Sequence, residues 1–282
     1  MSRPLCVYHG NCADGFGAAW VVRHFYGGEV DFFPGVYQSP PPDCTDRDVI
    51  MVDFCYKRPV LLNILRECEE LNIIDHHKTA LQEIEGLTEG QQVEPSLHGK
   101  LFVTFDLERS GAGLTWDYFY ADAPRPPLIN HIEDHDLWRF KLPRTREIQA
   151  ALFSYPYDFE VWDRLIGASP DKLADEGTAI ERKHHKDIAE LVKVTQREMV
   201  IGSQRLPVAN LPYTLTSDAG FLMATKHPSR MAACYWDTPA GRVFSLRSTE
   251  YGPDVSEIAK LYGGGGHAHA AGFRTKLGWE GE

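Results

Sequence analysis

The chain has 282 residues, 43% of them hydrophobic, and 40 Asp/Glu against 29 Lys/Arg give a formal net charge of −11. That balance excludes a protein that coats long duplex nucleic acid, an affinity built on many Lys and Arg contacts to phosphate; short anionic substrates held by a few convergent groups remain compatible. No apolar run approaches the roughly 20 residues of a membrane helix and the first residues show no signal-peptide pattern, so no membrane association and a cytoplasmic location are expected.

The charge is uneven. Residues 201–282 carry eight Lys/Arg and seven Asp/Glu, so the acidic excess lies in the first 200 residues. The six cysteines, at 6, 12, 44, 55, 68 and 234, form no CxxC pair, which argues against a zinc ribbon or disulfide framework.

Short apolar or β-branched runs at Leu5 to Tyr8, Val49 to Asp53, Leu71 to Ile74 and Leu101 to Phe105 read as strands. Helices are expected between them at Phe16 to Phe25, Pro59 to Glu70 and Gly111 to Tyr120, the last with Ser110 as N-cap. Strands alternating with helices predict an α/β domain with a parallel sheet, whose functional residues gather at the C-terminal strand ends. A long helix from Pro170 to about Glu198 follows. Its neighbours His184 and His185 point about 100° apart and are read as surface residues, not as ligands of one ion. Beyond Val200, strands at Met231 to Trp236 and Val243 to Arg247 and a helix near Val255 to Tyr262 mark a smaller α+β domain. The expected division is 1–155, a helical connector over 156–198, and 199–282.

Asp75-His76-His77 follows an apolar strand and so sits at a strand end. Two readings are open: a metal or catalytic motif, or a helix N-cap by Asp75 followed by two surface histidines. Three further segments place oxygen or imidazole donors at strand ends or in tight loops: His9 to Gly15, Asp53, and Glu133-Asp134-His135-Asp136. Several Asp with two His suit Mn²⁺ better than Zn²⁺ or Ca²⁺, with Mg²⁺ as the alternative. Near the C-terminus, Gly263 to Gly266 and His267 form a glycine run that could bring backbone N–H groups close to an anion or be no more than a turn.

Taken in order, these segments resemble the DHH phosphoesterase superfamily, which includes RecJ-type exonucleases, nanoRNases, cyclic-dinucleotide phosphodiesterases and manganese pyrophosphatases. The resemblance covers nearly the whole chain. It implies an N-terminal DHH domain in which His9, Asp14, Asp53, His76 and Asp134 hold two Mn²⁺ ions, Asp53 bridges them, and His77 faces the substrate phosphate. Asp136 competes with Asp134 for the last position. The first motif departs from the family pattern, which commonly has two aspartates after the histidine where Asn11 and Cys12 stand here.

The C-terminal segment is similar to the GGGHxxAAGF signature of the DHH-associated domain, with Arg247, Gly264, Gly265, Gly266 and His267 as substrate-binding residues across a cleft from the metals. The implied activity is metal-dependent hydrolysis of short single-stranded oligonucleotides or linear dinucleotides. Its rivals are a phosphatase or phosphodiesterase for a small nucleotide, such as a bisphosphorylated adenosine or a cyclic dinucleotide, and a nucleotide-binding sensor without turnover.

Overall fold

In the computed structural model, residues 3–10, 12–37, 39–87, 97, 99–121 and 123–282 are described. The chain divides into two compact units, 1–181 and 182–282.

The first unit begins β1 (Leu5–His9), α1 (Ala13–Tyr26), β2 (Asp31–Gly35), β3 (Asp48–Val52), α2 (Arg58–Glu67), β4 (Glu70–Asp75), α3 (Lys78–Ile84), β5 (Leu101–Phe105) and α4 (Gly111–Tyr120). It continues with α5 (Pro127–Asp136), α6 (Thr145–Phe153) and α7 (Phe159–Ile166), and enters α8 (Pro170–Thr195). The five strands form a sheet of order β2-β1-β3-β4-β5, parallel throughout. Both faces are covered, and the strands alternate accordingly: Cys6, Ile50, Val52 and Ile74 join a core under α1, α4 and α5, while Leu5, Val7, Val49, Met51, Leu71 and Ile73 join a second core with α2. Because β1 lies between β2 and β3, the strand order reverses beside it, and ligands of such sheets bind at the carboxyl ends next to that reversal.

The anticipated parallel sheet is present. β2 did not register in the sequence because Asp31–Gly35 contains a proline and has little buried surface. Glu133 to Asp136, expected at a strand end or in a loop, instead forms the last turn of α5.

The second unit contains β6 (Arg197–Ile201), β7 (Gln204–Asn210), α9 (Thr216–Lys226), β8 (Met231–Thr238), β9 (Gly241–Ser248), α10 (Val255–Leu261), β10 (Gly265–His267) and β11 (Ala270–Thr275). Its mixed sheet has the order β10-β11-β9-β8-β7-β6. One face buries Val208, Leu246 and Phe273 with Val255 and Ala259 of α10; the other buries Ala209, Ala232 and Cys234 with α9 and with Ile188 and Val192 of α8. His184 of α8 pairs with Asp218 of α9 at 2.9 Å. No helix among the described residues is long and apolar enough to cross a membrane.

Candidate metal centre

Strands β1, β3 and β4 end at one edge of the parallel sheet, and each delivers side chains there: His9 from β1, Asp53 just after β3, and Asp75, His76 and His77 from the end of β4. Asp53 is 1% exposed and holds a left-handed φ of 55°, a conformation that non-glycine residues adopt at a cost and that clusters at functional sites. Its amide donates to Ile74 O at 2.9 Å, so the turn is tied to the neighbouring strand.

The two oxygens of Asp53 face different groups. Oδ1 lies 3.0 Å from His76 Nε2. Oδ2 lies 3.4 Å from His9 Nδ1 and 3.8 Å from Cys12 Sγ. Around His76 Nε2, Asp14 Oδ2 and Asp136 Oδ2 each stand at 3.6 Å, so one imidazole nitrogen meets three carboxylates.

Neighbouring helices brace this cluster. Asp14 accepts from Gly111 N at 2.6 Å and Ala112 N at 3.0 Å, satisfying two amides at the start of α4, whose dipole favours negative charge there. Gly111 has to be glycine. A Cβ on it would lie 2.4 Å from Asp53 Cβ. Ser110 caps the same helix by accepting from Gly113 N, as its position before the apolar run predicts. Behind the cap, Arg109 and Arg125 each bridge Asp117 and Glu133, and Glu133 also accepts from Ser110 N.

Asp75 does not cap α3, whose N-cap is His77. Its Oδ1 accepts from the amides of His76 and His77 and also stands 2.7 Å from His77 Nδ1. The histidines are not surface residues: His76 is 1% and His77 7% exposed. A carboxylate holding one ring nitrogen fixes both the tautomer and the orientation of the imidazole.

Asp134 and Asp136 have different surroundings. The Asp134 carboxylate accepts from Lys141 N, Leu142 N and Thr145 Oγ1, and so closes the turn between α5 and α6. Asp136 is the residue brought to His76. The two lie about 200° apart around α5, so they cannot both face the cluster.

Burial and mutual repulsion dominate the electrostatics. Asp14 is pushed well above the usual carboxylate range by burial and by Asp53 and Asp136, and Asp136 is raised by burial and by Asp53. Burial also acts to raise Asp53, but hydrogen bonding to His76, the approach of His9 and the charge of His77 bring it well below its ordinary value. Burial disfavours His76's charge, yet Asp53, Asp136 and Asp14 drive its pKa well up. Cys12 is raised by burial and by the same carboxylates.

These donors fit divalent cations. His9, Cys12 and Asp53 offer ligand atoms within 4.8 Å of one another, as do Asp14, His76 and Asp136. Within the cluster, His9 Nδ1 and Asp136 Oδ2 are buried without a hydrogen-bond partner, as expected of groups oriented for an ion. Asn11, the other departure in the first motif, lies outside the described residues.

Part of the glycine run is engaged in backbone pairing. The amides of Gly263 and Gly264 donate to Lys260 O and Ala259 O, closing α10, and Gly265–His267 pairs antiparallel with β11. A Cβ on Gly264 would lie 2.0 Å from Gly272 O, so the glycine there serves close backbone packing. Arg247, on β9, donates to Ser217 Oγ at 2.6 Å and Ser245 Oγ at 3.0 Å.

No family model matches the chain. An uncharacterized protein of Acanthamoeba polyphaga mimivirus is 31% identical over 292 residues, covering 95% of this chain and 66% of that protein, so the chain spans just under two thirds of its length. Among solved structures, the DHH domain of a member of the S1p family of ribosomal proteins is similar over 98% of this chain and 83% of its own, with TM-score 0.59 and 13% identity. RecJ of Thermus thermophilus, solved in complex with Mn²⁺, is similar over 98% of this chain and 50% of its own, with TM-score 0.51 and 15% identity. The chain thus shares the fold of these two solved structures, with Asp75-His76-His77 at the carboxyl edge of its parallel sheet.

Proposed function

We propose that the chain is a metal-dependent phosphodiesterase that hydrolyses short single-stranded oligonucleotides or linear dinucleotides to mononucleotides. The observation that carries this reading is Asp53, whose two oxygens face two separate donor groups, His9 with Cys12 and His76 with Asp14 and Asp136. A carboxylate so placed is suited to bridge two divalent ions. Ions held there would act as Lewis acids toward a phosphoryl oxygen and ease deprotonation of the attacking water.

The chain's own residues supply the rest. His77, held through Nδ1 by Asp75, would meet a phosphoryl oxygen with Nε2 and stabilise the charge that develops there. Gly111 and Ala112, through Asp14, keep the carboxylates from drifting as substrate binds. Mn²⁺ is the favoured ion over Mg²⁺, because His9 and His76 contribute imidazoles. The solved RecJ with Mn²⁺ supports this, as a protein of like fold.

A short substrate agrees with the net charge of −11, which offers no electrostatic track for a long strand. Arg247 and the Gly264 to His267 segment are the proposed phosphate-binding residues of the second unit. Release of mononucleotide from a labelled dinucleotide, followed with Mn²⁺, with Mg²⁺ and with chelator, tests the reading. It fails if the rate is the same under all three conditions.

A further inference from the structure

We propose that Cys12 is a metal ligand, so that His9, Cys12 and Asp53 form a position for a thiophilic divalent ion such as Zn²⁺, Co²⁺ or Fe²⁺, while Asp14, His76 and Asp136 form a harder one. The inference rests on the cluster being a two-ion centre and adds that its two positions differ in chemistry.

Three observations carry it. Cys12 occupies the N-cap position of α1 with extended backbone, φ −129° and ψ 135°, yet its side chain makes no capping hydrogen bond. Ser, Thr, Asp or Asn would normally stand there to satisfy a helix amide; the thiol instead approaches Asp53 Oδ2 at 3.8 Å. Second, the ligand atoms of His9, Cys12 and Asp53 lie within 4.8 Å of one another, and His9 Nδ1 is buried with no hydrogen-bond partner. Third, Cys6, Cys44, Cys55, Cys68 and Cys234 are all buried, and Cys12 alone has intermediate exposure. Five of the cysteines are thus packing residues, and the sixth stands among metal donors.

Sulfur sets the preference. A nitrogen, a thiolate and one carboxylate oxygen suit the softer divalent ions, whereas one nitrogen and carboxylates suit Mn²⁺ or Mg²⁺. On binding, the thiol proton is released to solvent as the sulfur–metal bond forms, so each ion taken up at this position displaces one proton.

The experiment titrates metal-stripped full-length protein with Co²⁺ and, separately, with Mn²⁺. It reads the near-ultraviolet thiolate-to-cobalt absorption and the reactivity of native thiols toward Ellman's reagent. Co²⁺ should bring up the absorption band and protect the one reactive thiol. Cys12→Ser should abolish the band and weaken Co²⁺ at that position by at least the roughly 10-fold that loss of an outer-shell partner costs. Cys12→Asp should bind Mn²⁺ there without a band. If Cys12→Ser fails to fold by circular dichroism, thiol protection in the wild type decides. Two bound Co²⁺ with no band and an unprotected thiol would overturn the role of Cys12 and leave the two-ion centre standing. Failure to bind either metal would overturn both.

Discussion

Replacing Gly111 with alanine tests whether the start of α4 positions the bridging carboxylate. The added methyl would lie 2.4 Å from Asp53 Cβ and 2.8 Å from both Cγ and Oδ1, where non-bonded carbons normally stand about 3.5 Å apart or more. About 1 Å of overlap must therefore be relieved. Asp53 cannot yield easily, since it is 1% exposed and already has a left-handed backbone. If α4 retreats instead, the amides of Gly111 and Ala112 carry Asp14 with them. Either movement displaces a carboxylate of the centre. Overpacking of this kind costs about 1–3 kcal/mol of stability, and a misplacement of about 1 Å at a reacting group costs about 100-fold in rate. The assay combines kcat/KM on a dinucleotide with calorimetric Mn²⁺ titration and thermal unfolding. We expect a rate of roughly 1% of wild type, weaker metal binding, and a protein that is less stable but folded. Wild-type rate and affinity in a folded Gly111→Ala protein would refute the claim that this helix holds Asp53 in place.

Asp136→Asn and Asp134→Ala should separate cleanly: the first should weaken metal binding by about 10-fold or more at little cost in stability. The second should lower stability by about 2–4 kcal/mol, because it strips acceptors from two amides and a threonine, with metal stoichiometry retained; equal behaviour in calorimetry and unfolding would contradict the assignment. Asp75→Ala removes the group that orients His77 and accepts from two buried amides, so kcat should fall about 10–100-fold, and wild-type kcat would show that His77 needs no support. Arg247→Ala should lower kcat/KM on dinucleotides more than on a generic small phosphodiester; an equal loss on both, or faster cleavage of thirty-nucleotide strands than of dinucleotides, would replace the short-substrate reading with a processive one.

The parallel sheet was legible because its central strands β1, β3 and β4 are largely buried and appear as apolar runs, each followed by a polar residue at the strand end. That same pattern exposed Asp53 and Asp75-His76-His77. The last candidate ligand was harder to place for an equally physical reason: once Glu133 to Asp136 is taken as a strand end or loop, nothing separates Asp134 from Asp136. Helical periodicity separates them, and Pro127 at the first position of α5 was the available helix-start signal. The brace around α4 could not be read in advance, because Arg109, Asp117, Arg125 and Glu133 meet only through tertiary packing. The glycine run was ambiguous in a different way. Its composition fits an anion nest and an edge strand equally, and only its pairing with β11 shows where the small residues are needed.

The central claim is that Asp53 joins two metal positions into one hydrolytic centre. It is tested most directly by measuring mononucleotide release from a labelled dinucleotide together with metal content, for wild type and for Asp53→Ala. Wild type should bind two ions per chain, lose activity in chelator and regain it when Mn²⁺ is restored, while Asp53→Ala should stay folded, bind fewer ions and retain no more than a few percent of kcat. Activity that survives chelation, or an Asp53→Ala protein that turns over at the wild-type rate, would contradict the account.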